Sequence, residues 1–152
     1  MIKIVNGNIV SAKEQIIAHQ VNCKGVMGSG AARAIRNKFP IVYEEYKKIC
    51  DTVKENTSEL LGCNQYVTVP KDKKIIVNMF AQDGYGRDKQ YTDYDALEMC
   101  FRELARKSRM PIAMPYKIGC GRGGGDWDKV VYPMICNIFK DNDVVLYKIQ
   151  LV

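Results

Sequence analysis

The chain has 152 residues, 47% apolar and 26% charged, an ordinary globular balance that suits one domain around one core. No apolar run approaches the roughly 18 residues that a membrane span needs. The opening Met1-Ile2-Lys3-Ile4-Val5 reads as a strand, not a signal peptide, so no membrane attachment and a cytoplasmic location are expected. The net charge of +6 favours an anionic partner such as a phosphorylated nucleotide, RNA or DNA, although acids interleave the basic residues as on any solvated surface.

Short apolar runs alternate with segments of helical period. Ile2 to Val5 is predicted as a strand, and Gln15 to Asn22 as another, through Ile16, Ile17, Ala18 and Val21. After a loop from Cys23 to Gly28, Ser29 to Lys38 reads as a helix. Pro40 opens a further helix to about Cys50. Gly62 to Val69 and Lys74 to Phe80 follow as strands, and Asp83 to Thr92 as a polar loop. Asp93 to Lys107 is predicted as an amphipathic helix with Asp93 as its N-cap and Leu97, Cys100, Phe101, Leu104 and Ala105 on one face. Ile112 to Met114 is a short strand and Lys117 to Gly125 a glycine-rich loop. Asp126 is placed to cap a last helix through Trp127, Val131 and Ile135, and Asp143 to Val152 closes as a strand.

This alternation implies an α/β chain: a three-layer α/β/α domain with a central mixed, largely parallel sheet of about six strands. Ligands of such sheets bind beyond the carboxyl ends of the strands. Both unusual loops sit there. The first runs Asn22-Cys23-Lys24-Gly25-Val26-Met27-Gly28-Ser29-Gly30, with a helix behind it whose free N–H groups suit an anion. It lacks the Gly-Lys-Ser/Thr ending of a P-loop, and Arg33 stands where a dinucleotide fingerprint wants Gly or Ala. The second runs Gly119-Cys120-Gly121-Arg122-Gly123-Gly124-Gly125, five glycines in seven residues. Ordering so many costs entropy that a plain connection need not spend, whereas successive amides can form an anion nest. This loop reads as a diphosphate cradle.

At these residues the sequence resembles the macrodomain family over nearly its whole length. Gly7-Asn8-Ile9 resembles the family's opening Gly-Asp-Ile step. Val21-Asn22 through Met27-Gly28-Ser29-Gly30 resembles its first binding loop, and Ile118-Gly119-Cys120-Gly121 through Trp127 its second. The similarity is greatest to stand-alone phage and bacterial macrodomains, which resemble ADP-ribose-1″-phosphate phosphatases and terminal ADP-ribose glycohydrolases. It implies a single macrodomain over 1–152, with ADP-ribose or an ADP-ribosylated substrate as partner. Asn8, with Ile9, would take the place of an aspartate that accepts from the adenine amino group. Asn22 would face the distal ribose. Met27, Gly28, Ser29 and Gly30 would approach that ribose and a phosphate, and Gly119, Cys120, Gly121, Arg122, Gly123 and Gly124 would wrap the diphosphate.

The candidate catalytic groups are His19, Lys89 and Asp126. His19, the one histidine, resembles a histidine used by the phosphatase-like members and equally suits a satisfied strand position. Lys89 resembles the glycohydrolase lysine that could attack an anomeric carbon, or is a solvated loop lysine. That class also carries an aspartate where Gly123 stands, leaving Asp126 as acid or as helix cap. Cys120, at a helix N-terminus, is read as a thiol of lowered pKa or as a small packing residue. Tyr85, Tyr91 and Tyr94 are candidates for stacking, and Trp127 for the core. The six cysteines include no Cys-x-x-Cys pair and there is no His-rich segment, so free thiols and no metal are expected, with no cofactor and a monomer. Three functions stay open: hydrolysis of an ADP-ribose derivative, non-catalytic reading of ADP-ribose, and nucleic-acid binding.

Overall fold

The computed structural model describes residues 1–149. Six strands form one sheet: β1 (Ile2–Asn6), β2 (Ile16–Asn22), β3 (Asn64–Val69), β4 (Lys74–Gln82), β5 (Ile112–Pro115) and β6 (Val144–Lys148), in the order β1-β6-β5-β2-β4-β3. All pairings are parallel except the antiparallel β3–β4 hairpin at one edge. A parallel strand in mid-sheet is covered on both faces, which explains the almost continuous burial of β2.

Four helices cover the two faces. The helices α1 (Gly30–Lys38) and α2 (Pro40–Thr52) pack one core, in which Ile17, Val21, Ile76 and Phe80 meet Ile35, Val42 and Tyr46. Against the other face, α3 (Tyr94–Lys107), α4 (Tyr132–Ile138) and the turn that leads into α4 bury Leu97, Phe101, Leu104, Val131 and Ile135 on Val77, Met79, Ile112 and Leu146. Helix α3 behaves as its period predicts: Asp93 caps it by accepting from the Ala96 amide at 3.0 Å, and Arg106 and Lys107 lie in its last turn. No helix among the described residues is long and apolar enough to cross a membrane.

Several boundaries move. Strand β4 continues beyond Phe80 to Gln82, because pairing with β2 persists across a bulge at Val21/Asn22. Helix α2 runs on to Thr52. The segment after Asp126 opens as a π-helical turn, Trp127–Val131, before α4 begins, with the Val131 amide donating to the Asp126 carbonyl. The closing strand starts at Val144 and ends at Lys148; residues 150–152 of that predicted strand lie outside the described residues.

A candidate ligand cleft between two glycine-rich loops

The carboxyl ends of the parallel strands open onto a cavity of about 870 Å³, walled on opposite sides by the two loops singled out above. That volume falls within the range of small-molecule sites.

The first loop is braced by its own strand end. The Asn22 amide nitrogen donates to the Val26 carbonyl at 2.7 Å, and its oxygen accepts from the Lys24 amide at 2.9 Å and the Tyr46 hydroxyl at 2.8 Å. Asn22 lines the cavity, but its polar groups are occupied in shaping the turn. Met27 is buried under the loop, in the α1/α2 core, and does not line the cavity. Gly28, Ser29 and Gly30 do. Gly30 has φ of +60°, a left-handed entry to α1 that a side chain would strain. The Ser29 hydroxyl makes no cap bond, and no acid lies in the first turn, so the helix presents uncapped amides to the cleft.

The second loop is braced from outside itself. Thr92, buried beneath it, donates to the Gly119 carbonyl at 2.7 Å and accepts from the Gln20 amide at 2.8 Å. Tyr91 and Thr92 both donate their amides to the Gly123 carbonyl. The approach is so close that a Cβ on Gly123 would lie 2.2 Å from Thr92 Oγ1 and 2.7 Å from the Gly119 carbonyl oxygen. An aspartate side chain therefore has no room at this position while Thr92 sits behind the loop. Among the described residues, the amides of Gly121, Arg122 and Gly123 donate to no protein acceptor. Three consecutive free N–H groups suit a phosphate oxygen.

His19 is 1% exposed on β2 and touches the cavity wall. Its Nε2 lies 2.6 Å from Asn78 Oδ1, on the partner residue of β4, and its Nδ1 is buried without a hydrogen-bond partner. Burial outweighs the bond to Asn78 and lowers its pKa from 6.5 to about 4. The folded chain thus holds a neutral imidazole. Its contribution to stability, about 3 kcal/mol on that shift, is complete above pH 6.5 and is lost as pH falls through the window toward 4.

The other proposed residues divide. Asn8 and Ile9 line the far end of the cavity, and the Asn8 oxygen accepts from the Val10 amide at 3.1 Å as the cap of a short 3₁₀ turn. Gly119, Gly121, Arg122 and Gly123 line the cavity. Gly124 does not; it walls a smaller neighbouring groove of about 350 Å³ with Arg87, Lys89, Gly121 and Arg122. Lys89 is thus outside the main cleft, its ammonium 5.0 Å from the Tyr91 ring centre. Asp126 is outside it as well, its carboxylate accepting from the Lys129 amide at 3.0 Å as a helix cap. Cys120 does not line the cleft, and burial pushes its thiol up to about 11, against the lowering expected of a helix N-terminus. It is the packing residue of the two readings, with its sulfur 3.4 Å from the Ile118 carbonyl. Tyr85 lines the cleft whereas Tyr91 and Tyr94 do not, and Trp127 is core.

Sequence reasoning missed Gln20, Gln82, Thr92 and Asn78. Gln20 and Gln82 line the cavity and are joined by a 2.7 Å bond between their amides. The signal was present: each is a polar residue inside or beside an apolar strand run, where an unpaired amide would be costly. Among the described residues no Asp or Glu lines the cleft, while Lys117, Arg122 and Lys148 do.

The chain belongs to the macrodomain family: the Macro domain model matches residues 18–134. It is 26% identical to a DNA ADP-ribosyl glycohydrolase of Mycobacterium tuberculosis over 151 residues, covering 97% of this chain and only 42% of that longer protein. It is 28% identical to the ADP-ribose 1″-phosphate phosphatase of Candida albicans, covering 84% of this chain and 88% of that one. The solved macrodomain of Mycobacterium tuberculosis DarG superposes with a TM-score of 0.77 at 27% identity, covering 97% of each chain.

Proposed function

We propose that the cleft binds ADP-ribose and that the protein hydrolyses an ADP-ribose derivative, either the phosphate ester of ADP-ribose-1″-phosphate or an ADP-ribosyl bond to a larger acceptor. The observation that carries this reading is the convergence of two uncapped sets of backbone amides, at Gly30 and at Gly121–Gly123, on one cavity that no carboxylate lines among the described residues. Such a cradle fits a diphosphate, whose charge it meets with dipoles and with Arg122. The names of the phosphatase and glycohydrolase relatives point the same way. His19, neutral and bordering the cleft, is the acid–base group of this reading.

Calorimetry with ADP-ribose, together with release of inorganic phosphate from ADP-ribose-1″-phosphate, tests the proposal. The expected outcome is binding by both wild type and His19→Ala, with turnover lowered at least ~100-fold in the variant. Because His19 is neutral above about pH 4, turnover should not fall as pH drops from 8 to 5. Absence of ADP-ribose binding would end the reading.

One observation favours a second reading, a non-catalytic reader. Lys89 and Asp126 lie outside the cleft and, among the described residues, no carboxylate lines it, so they assemble no lysine–aspartate pair there. Tight ADP-ribose binding with no turnover of any ADP-ribosyl substrate would select it.

A further inference from the structure

A chain of side-chain amides leads from the backbone of α2 to His19, and only one arrangement of its hydrogens is consistent. The Glu45 carbonyl can only accept, so the group of Gln65 facing it, 3.0 Å away, is the NH₂. That turns Gln65 Oε1 toward Asn78, whose Nδ2 donates to it at 3.0 Å. Asn78 Oδ1 then faces His19 Nε2 at 2.6 Å and requires a hydrogen on that nitrogen. A backbone carbonyl cannot flip, so each amide orientation follows from the one before it, and Nδ1 is left as a bare lone pair. The strand register makes the relay compact: Gln65, Asn78 and His19 are cross-strand partners on β3, β4 and β2.

Nδ1 is also the unusual end of the chain. It is buried and has no partner, although the residue it belongs to borders the cleft. A buried acceptor without a donor costs stability unless something else supplies the hydrogen. We propose that Gln65 and Asn78 are positioning residues that hold His19 as the Nε2–H tautomer, so that Nδ1 accepts from a hydroxyl in the cleft, either a ribose hydroxyl of the ligand or the attacking water. The role of the hydroxyl rests on the ADP-ribose reading; the tautomer does not.

The chain has a single histidine, so ¹⁵N-histidine labelling yields one imidazole spectrum. The expected result for the free wild type is a protonated Nε2 and a bare Nδ1. Protonation at Nδ1 instead would overturn the proposal without need of any variant. Gln65→Met removes the acceptor that orients Asn78, and the spectrum should shift to a mixture of tautomers. A merely structural role for Gln65 would leave the tautomer unchanged in Gln65→Met, which also overturns the relay.

Adding ADP-ribose should move the Nδ1 resonance if the donor is a ribose hydroxyl, with affinity about tenfold weaker in Gln65→Met. If the donor is water, ADP-ribose affinity should stay within about twofold while turnover falls about tenfold. ADP-ribose that binds by calorimetry but leaves Nδ1 unmoved, with turnover also unchanged in Gln65→Met, would remove the hydroxyl role. Failure of ADP-ribose to bind at all would overturn the proposed function and leave the tautomer result standing.

Discussion

The two glycine-rich loops face the same cavity and are held by opposite means. The first is braced from its own root: Asn22 bonds residues two and four positions further on, and Tyr46 of α2 locks that asparagine in place. The second is closed by backbone bonds of its own, from Gly124 to Gly121 and from Gly125 to Gly119, without an anchoring amide like that of Asn22. Its shape is imposed by Thr92 and Gln20, which reach it from elsewhere in the sequence. A locally braced loop tolerates changes in its surroundings. One shaped from outside depends on contact distance, which is why its glycines are packed against side chains rather than merely bent.

The sharpest way to break this contrast is a methyl group. Gly123→Ala puts a Cβ into Thr92 and the Gly119 carbonyl, whereas Gly28→Ala makes only an ordinary contact at 3.5 Å with Val26. Overpacking of this kind costs about 3 kcal/mol, roughly 10 °C in a domain of this size, while Gly28→Ala should stay within about 2 °C. Thermal melting decides, and equal losses at the two sites would erase the distinction. Next in size, Asn22→Ala strands the Lys24 amide and the Val26 carbonyl, while the Tyr46 hydroxyl keeps its bond to the residue 22 carbonyl, and should cost about 2 kcal/mol by chemical denaturation. Amide exchange should then rise over residues 24–30 and stay unchanged over 119–124. Smallest, Thr92→Val keeps the shape and removes two hydrogen bonds, a loss of about 1 kcal/mol. Its exchange pattern should be the mirror image, with 119–124 opening and 24–30 protected. Opening of both loops in either variant would mean that they move as one body.

The same contrast explains what could be read from the chain. Strands and helices followed from period, and Asp93 and Asp126 from capping chemistry, because each of those signals lies within a few residues. The loops themselves stood out by composition. Their supports did not stand out equally. Asn22 bonds Lys24 and Val26 within its own turn, whereas Tyr46 meets Asn22, and Thr92 meets Gly119, only through the packing of the fold. Of the two readings of Lys89, the loop lysine fits the 84–91 segment better, since that segment sets the side chain in the neighbouring groove. Cys120 follows the second of its two readings, because burial behind the loop raises the thiol pKa and outweighs the pull of any helix terminus.

The wall of the cleft, with three cations and no acid among its described residues, carries no counter-charge of its own. Small inorganic ions such as sulfate or phosphate should therefore compete for the amides and for Arg122 whenever the buffer contains them, and added salt should screen the lysines further. Affinities measured for any phosphorylated ligand will depend on the choice of buffer salt, and a chloride series extrapolated to low ionic strength gives the intrinsic value.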